Sequence, residues 1–201
     1  MSSQKSRREL YSEATRTALR DTAAEMFAAR GYGGTSLDDI ATASQVTRGA
    51  VYHHFANKQA LFEAVLELME EAMEVRVMAA AAQHHDPWDA SLAAIDAFLD
   101  ECCEPMYGRL CWLEGPIALG WEGWKDFEEK HAYGLIERFI AATIAAGLIA
   151  PAPVQTSSQL IFHLFGGAGR IIAEAPAATK REVRDECAAL IKRMITGLRA
   201  K

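Results

Sequence analysis

No stretch of this 201-residue chain approaches the roughly twenty consecutive apolar residues that a membrane-spanning helix requires, so no membrane partner is expected. Period-two alternation over a strand's length is also missing, which argues against a sheet. The four cysteines, Cys102, Cys103, Cys111 and Cys187, include no Cys-x-x-Cys pair; free thiols in a reducing compartment are the expectation. There is no Gly-x-Ser-x-Gly nucleophile motif. Gly166-Gly167-Ala168-Gly169 lies in a helical pattern with no strand before it and is not a dinucleotide fingerprint. Glu128-x-x-His131 has the spacing of a di-iron ligand pair, but the second pair such a site needs is absent, so Glu128 is read as a solvated carboxylate. His84-His85-Asp86 falls in a loop where Asp86 is needed as a helix cap. Neither catalysis, metal nor cofactor is expected. The polar, basic first ten residues have no apolar run behind them, unlike a secretory signal, and a cytoplasmic location is expected.

What the chain does have is helix period almost throughout. Half its residues are hydrophobic and a quarter charged, as in an ordinary globular protein, and alanine is abundant. The net charge of −6 is unevenly spread: residues 1–58 carry eight Lys/Arg against six Asp/Glu, leaving the acidic excess to the remainder. A mildly basic head on an acidic body is compatible with nucleic-acid binding by the head alone. Lys5, Arg7 and Arg8 are expected in a flexible arm ahead of a first helix at about 12–30, ended by Gly31. Ser36 then caps a short helix to about Ser44, Thr47 caps another through His54, and Asn57 caps a long one to about Ala82 with Leu61, Val65, Leu68 and Ala72 as its stripe. Asp86-Pro87 starts the next, which Pro105 ends. Five glycines and prolines between Gly108 and Gly123 predict short helices and turns over 106–126. Helices follow at about 125–146, 156–174 and 179–198, the last opened by a Thr179-x-x-Glu182 capping box. The fold class expected is all-α, with a head of residues 1–57 and a helical bundle of 58–201, about nine helices in total.

Residues 36–55 carry the function. Two short helices joined by a tight turn need a small residue where the axes cross and apolar residues that lock the pair; Ala41, Ile40, Val46, Val51 and Phe55 supply these. The second helix then shows Thr47, Arg48, Tyr52 and His53 outward, side chains able to bond base edges or phosphates in a major groove. The string Thr35-Ser36-Leu37-Asp38-Asp39-Ile40-Ala41, then Val46-Thr47-Arg48-Gly49-Ala50-Val51-Tyr52-His53-His54-Phe55, then Asn57-Lys58-Gln59-Ala60-Leu61-Phe62, closely resembles the DNA-binding head of the TetR family over about residues 12–66. That resemblance implies a three-helix head, a C-terminal ligand-binding and dimerisation region, and repression of operator DNA relieved by a small molecule. By position it assigns DNA contact to Thr47, Arg48, Ala50, Tyr52 and His53, and phosphate contact to Tyr52, Lys58, Thr35 and Ser36. His54 either packs within the head or meets DNA. The turn Ala43-Ser44-Gln45-Val46 departs from the family in lacking glycine, and His53 stands where many members carry a larger aromatic.

The C-terminal region is less specific. The helix at 156–174 is apolar nearly all round and must be covered on both sides, which a second copy of the chain would do. Leu160, Leu164, Phe165, Ala168, Ile172, Leu190 and Met194 are the expected dimer contacts. An unidentified small-molecule effector is expected between the long connecting helix and residues 88–146, against Met73, Phe98, Trp112, Trp124, Phe127 and His131. An activator, or a regulator without an effector, would use the same fold.

Overall fold

Helix follows helix in the computed structural model, which describes residues 6–200, and no strand occurs among them. The chain divides between Leu68 and Met69 into two compact units. The first holds α1 (Arg7–Arg30), α2 (Leu37–Ala43), α3 (Arg48–His54) and the start of α4 (Lys58–Ala81). The second holds the rest of α4, then α5 (Pro87–Cys103), α6 (Pro105–Tyr107), a π-helical segment Gly108–Glu114, α7 (Gly115–Ala145), α8 (Val154–Glu174) and α9 (Lys180–Thr196). No helix among the described residues is long and apolar enough to cross a membrane.

Helix starts follow local capping chemistry. Ser6 Oγ accepts from the Glu9 amide while the Glu9 carboxylate accepts from the Ser6 amide, so α1 begins at Arg7. This corrects the expected arm: Arg7 and Arg8 lie in the first turn of a helix, and Lys5 lies outside the described residues. Asn57 Oδ1 accepts from Ala60 N and starts α4 as expected. Asp86 caps α5 through the amides of Trp88 and Asp89, with Pro87 in the first turn. At α9 the expected capping box does not form; Thr179 Oγ1 donates instead to Pro176 O.

Over 106–126 the glycines mislead. Gly108 and Gly115 serve close packing rather than chain breaks, and the segment is helical except at Gly120, whose φ of 72° kinks α7. A Cβ on Gly108 would stand 2.7 Å from Cys102 O, and one on Gly115 would stand 2.6 Å from a Trp124 ring carbon. Gly169 in α8 is tighter still: its Cβ would lie 2.5 Å from the Trp112 indole, which is itself buried. Gly169→Ala is therefore expected to lower the unfolding free energy by ~1–3 kcal/mol through overpacking. Gly134→Ala in α7, where a Cβ meets nothing within 4 Å, is expected to raise it by up to ~1 kcal/mol. Urea denaturation of the two variants checks this, and equal effects at both positions would show that the indole yields.

The core of the first unit is aromatic and aliphatic. Phe27, Tyr32 and Phe62 form a ring cluster with centroids 5.1–5.8 Å apart, and Leu19, Ile40, Val51 and Leu61 are fully buried. In the second unit α5, α7, α8 and the π-helical segment enclose the core, and α9 is tied to α5 by Arg184 and Lys192 on Asp96 and by Arg184 on Asp100. The chain after α7 pairs with the chain after α9 through Ile149 and Arg199.

Candidate nucleic-acid interface and ligand cavity

In the first unit α2 and α3 meet through Leu37, Ile40, Ala41, Val51 and Phe55, all buried, with Val46 half-buried between them. The turn closes with Val46 N donating to Ala41 O at 3.0 Å. Where glycine is absent, Gln45 itself takes the left-handed conformation, with φ 56°. That conformation costs an L-residue ~1–2 kcal/mol, against a smaller entropic penalty for glycine in the unfolded chain. Gln45→Gly is expected to stabilise the protein by about 0.5–1 kcal/mol in the same denaturation assay; destabilisation would mean that the Gln45 side chain holds the turn.

Thr47 Oγ1 caps α3 by accepting from Ala50 N, and the opposite side of that helix stays open to solvent. Thr47, Arg48, Tyr52 and His53 are exposed, while Ala50 and His54 are half-buried. Arg48 is held upright by its neighbours: Nη1 donates to Asp38 Oδ2 at 3.1 Å and the guanidinium lies 5.5 Å from the Tyr52 ring centroid. His54 has its imidazolium disfavoured by burial above all and then by His53 and Arg16, so a positive charge on it toward a phosphate is disfavoured. One depression of the surface gathers Thr35, Ser36, Arg48, Tyr52 and Lys58, with Asp38 and Asp39 on its rim.

Three of the expected phosphate ligands have internal partners. Thr35 is buried, its hydroxyl donates to Gly31 O and Met26 O, and its amide faces Tyr32 O. Its side chain therefore fastens the loop before α2 and is not offered to a phosphate. Ser36 forms a closed capping box with Asp39, whose carboxyl is held below its ordinary range chiefly by the Ser36 hydroxyl. Lys58 Nζ donates to Tyr32 O at 2.9 Å and Thr35 O at 3.1 Å and sits 4.1 Å from the Tyr32 ring centroid. It anchors the start of α4 to the α1–α2 connection and reaches the depression from there.

The second unit contains a cavity of about 120 Å³ lined from α4, α5, the π-helical segment, α7, α8 and α9, with Ile149 and Leu198 from the chain that follows α7 and α9. Met73, Phe98 and Trp112 line it, as expected from the sequence. Trp124, Phe127 and His131 do not: the Trp124 indole donates to Cys111 O at 2.8 Å inside the core, and Phe127 packs on the His131 ring. Phe165, expected at a dimer face, lines the cavity beside Phe98, with ring centroids 5.7 Å apart. The wall also includes Phe139 and Phe162, which sequence patterning did not single out.

The largest departure is Glu128. It is 3% exposed and lines the cavity, not solvent, together with Glu70 on α4. Tyr107 donates its hydroxyl to Glu70 Oε1 at 2.9 Å, while Glu70 Oε2 and Glu128 Oε1 are buried with no partner. Burial above all, then the Glu101 charge, pushes the Glu70 carboxyl up to about 7 against the pull of Tyr107 and Cys111; burial and the Glu70 charge raise Glu128 well above its ordinary range. The sequence held a signal for both: Glu70 is in register with buried Leu66, Met73 and Val77, and Glu128 with Trp124 and Leu135. The stripe read from Leu68 and Ala72 slipped off this face; Ala72 is exposed.

Comparison with known proteins bears on both units. Residues 19–65 match the family model for bacterial regulatory proteins of the tetR family, and residues 88–198 match that for a tetracyclin repressor-like C-terminal domain. The chain belongs to the TetR family. A crystal structure of a TetR-family transcriptional regulator from Pectobacterium atrosepticum is 30% identical, with a TM-score of 0.83 over 98% of this chain and 99% of that one. The HTH-type transcriptional regulator AcrR of Shigella flexneri is 46% identical over 56 residues, 28% of this chain and 26% of AcrR. The probable acrEF/envCD operon repressor of Escherichia coli K12 is 41% identical over 81 residues, 37% of this chain and 34% of that protein. The match thus spans about a quarter to a third of these curated relatives' length.

Proposed function

We propose that the protein is a transcriptional repressor that acts in the cytoplasm, binds operator DNA as a homodimer through α3, and is released by a small molecule taken up in the second unit. The observation that carries the DNA-binding reading is the exposed row Thr47, Arg48, Tyr52 and His53 on a helix whose other face is locked by Val51. The relative from Escherichia coli K12 that is named a probable operon repressor supports the direction of regulation. Residues 1–57 serve as the DNA-binding region and 58–201 as the ligand-binding and dimerisation region, with α4 shared between them as the connecting helix. An effector seated against Met73 and Val77 displaces α4, and with it the recognition helix, out of register with the operator. Only an effector that prefers the non-binding conformation can do this.

Dimerisation is assigned to a stripe left uncovered on the last two long helices. Leu160 (69% exposed), Ile171 (55%), Leu190 (55%) and Met194 (58%) lie on it, with Leu164 half-buried between them. Ile172 and Ala168 are withdrawn from that face, since they are buried within the subunit, and Phe165 is given to the cavity. Leu160→Lys combined with Met194→Lys is expected to convert a dimer to a monomer in sedimentation equilibrium and to weaken binding to DNA upstream of its own gene in a gel shift. Unchanged mass would place the interface elsewhere. Wild-type binding to that DNA is expected to fall steeply with salt through counterion release, and salt-independent binding would count against groove docking by α3.

A further inference from the structure

The cavity's polar groups are nearly all spoken for. Ser91 Oγ donates to Pro87 O, and Thr143 Oγ1 donates to Phe139 O and Ile140 O. No lysine or arginine lines the wall; Arg76 is engaged with Glu101, which is outside the lining. What remains open is one neutral donor, the Trp112 indole N–H, and two carboxyl oxygens, Glu70 Oε2 and Glu128 Oε1, which are buried without a hydrogen-bond partner and come from two different helices. The rest of the wall is apolar and aromatic.

Two buried carboxyl groups can both ionise only if something positive joins them, because each raises the cost of ionising the other. An anionic ligand would add a third like charge. A divalent metal ion would need about six oxygen ligands, and the wall supplies two carboxyl groups among hydrocarbon. A neutral hydroxyl satisfies one acceptor and leaves the charge uncompensated. An ammonium group satisfies both acceptors, is attracted by the faces of the surrounding rings, and brings an apolar body for the remaining wall. Resting on the effector reading above, we infer that the cavity takes a lipophilic organic monocation, its ammonium head between Glu70 and Glu128 and its apolar part among Phe98, Trp112, Phe139 and Phe165.

Three probes of one size and different charge test this on the full chain: benzylamine, benzyl alcohol and benzoate, by isothermal titration calorimetry. A single aromatic ring matches a cavity of this order. Benzylamine is expected to bind about tenfold or more tightly than benzyl alcohol, and benzoate not at all. Because the cation binds the ionised pair, the benzylamine affinity is expected to rise between about pH 6 and about pH 8 with release of protons to buffer, while the benzyl alcohol affinity does not. Glu128→Gln, and separately Glu70→Gln, which keeps an acceptor for Tyr107, are expected to remove the preference for the amine, with folding checked by circular dichroism. Equal binding of amine and alcohol, or a preference that survives in both variants, overturns the inference, as does absence of amine binding. Operator competition separates it from the effector reading: benzyl alcohol releasing DNA where benzylamine does not sinks the cation assignment alone. Benzylamine held by the two carboxylates with operator affinity unchanged upholds the assignment and sinks the effector role.

Discussion

Replacing Glu70 and Glu128 together by glutamine is expected to make the protein more stable at about pH 8 by ~3 kcal/mol or more, and to leave its stability near pH 4 almost unchanged. In the folded chain Glu70 holds its proton up to about 7, and burial and the Glu70 charge raise Glu128 well above its ordinary range, whereas in the unfolded chain both carboxyls ionise at the ordinary value of 4.5. The folded state therefore binds more protons than the unfolded one throughout that window. Stability from these groups is fully present below about pH 4.5 and is lost as pH rises, for Glu70 until about 7, and Glu128 contributes in the same direction. Each unit of pH within a window costs about 1.4 kcal/mol per group. Glutamine has the shape of the protonated acid and no proton to lose, so the variant lacks this slope. Other groups titrate in the opposite sense: His54 is less basic folded than unfolded and favours the folded state as pH rises through its range. The quantity to measure is thus the difference between variant and wild-type urea denaturation free energies, which cancels such shared contributions. A difference that does not grow from about pH 5 to about pH 8 would mean that the two carboxyls are solvated in solution.

That carboxyl pair also marks the boundary of what the sequence discloses. The head was legible because its information is local: Ser36, Thr47 and Asn57 each cap the helix that follows them, and a helix-turn-helix needs apolar residues at positions fixed by the turn. Gln45 in the left-handed conformation shows that the turn geometry holds even without the residue that makes it cheap. The cavity was only half legible because it is assembled from six helical segments spread along the chain, and helical period tells which face of a helix is buried but not what that face meets. Trp124 and Phe98 have equal claims on a sequence pattern; an indole hydrogen bond to Cys111 O separates them. Charge misled in the same way. A glutamate in register with an apolar stripe is usually a stray on the solvent edge, whereas Glu128 is buried facing the cavity that it shares with Glu70. Gly108 and Gly115 illustrate the converse, since a residue type that breaks helices in isolation is retained inside one where another backbone or an indole leaves no room for a Cβ.

Arg48→Ala is expected to weaken operator binding by about 10–100-fold, the cost of one well-placed base or phosphate contact. In the unbound chain the guanidinium is not idle, because it pairs with Asp38 and stacks beside Tyr52. Both partners of the ion pair are more than half exposed, so the pair is a solvent-screened surface one and releasing it for DNA costs little. The same geometry gives a way to tell what Arg48 reads. If it clamps a guanine with both nitrogens, Arg48→Lys fails to restore affinity, discrimination at one base pair relaxes, and the salt slope stays as it was. If it neutralises a phosphate, Arg48→Lys restores most of the affinity and Arg48→Ala reduces the salt slope by about one. Asp38→Asn complements the pair by removing the competitor for the guanidinium, and binding is expected to tighten slightly. Fluorescence anisotropy of a labelled operator at several salt concentrations measures all four proteins. Wild-type affinity in Arg48→Ala would remove the side chain from the reading face and leave Thr47, Tyr52 and His53 to carry it.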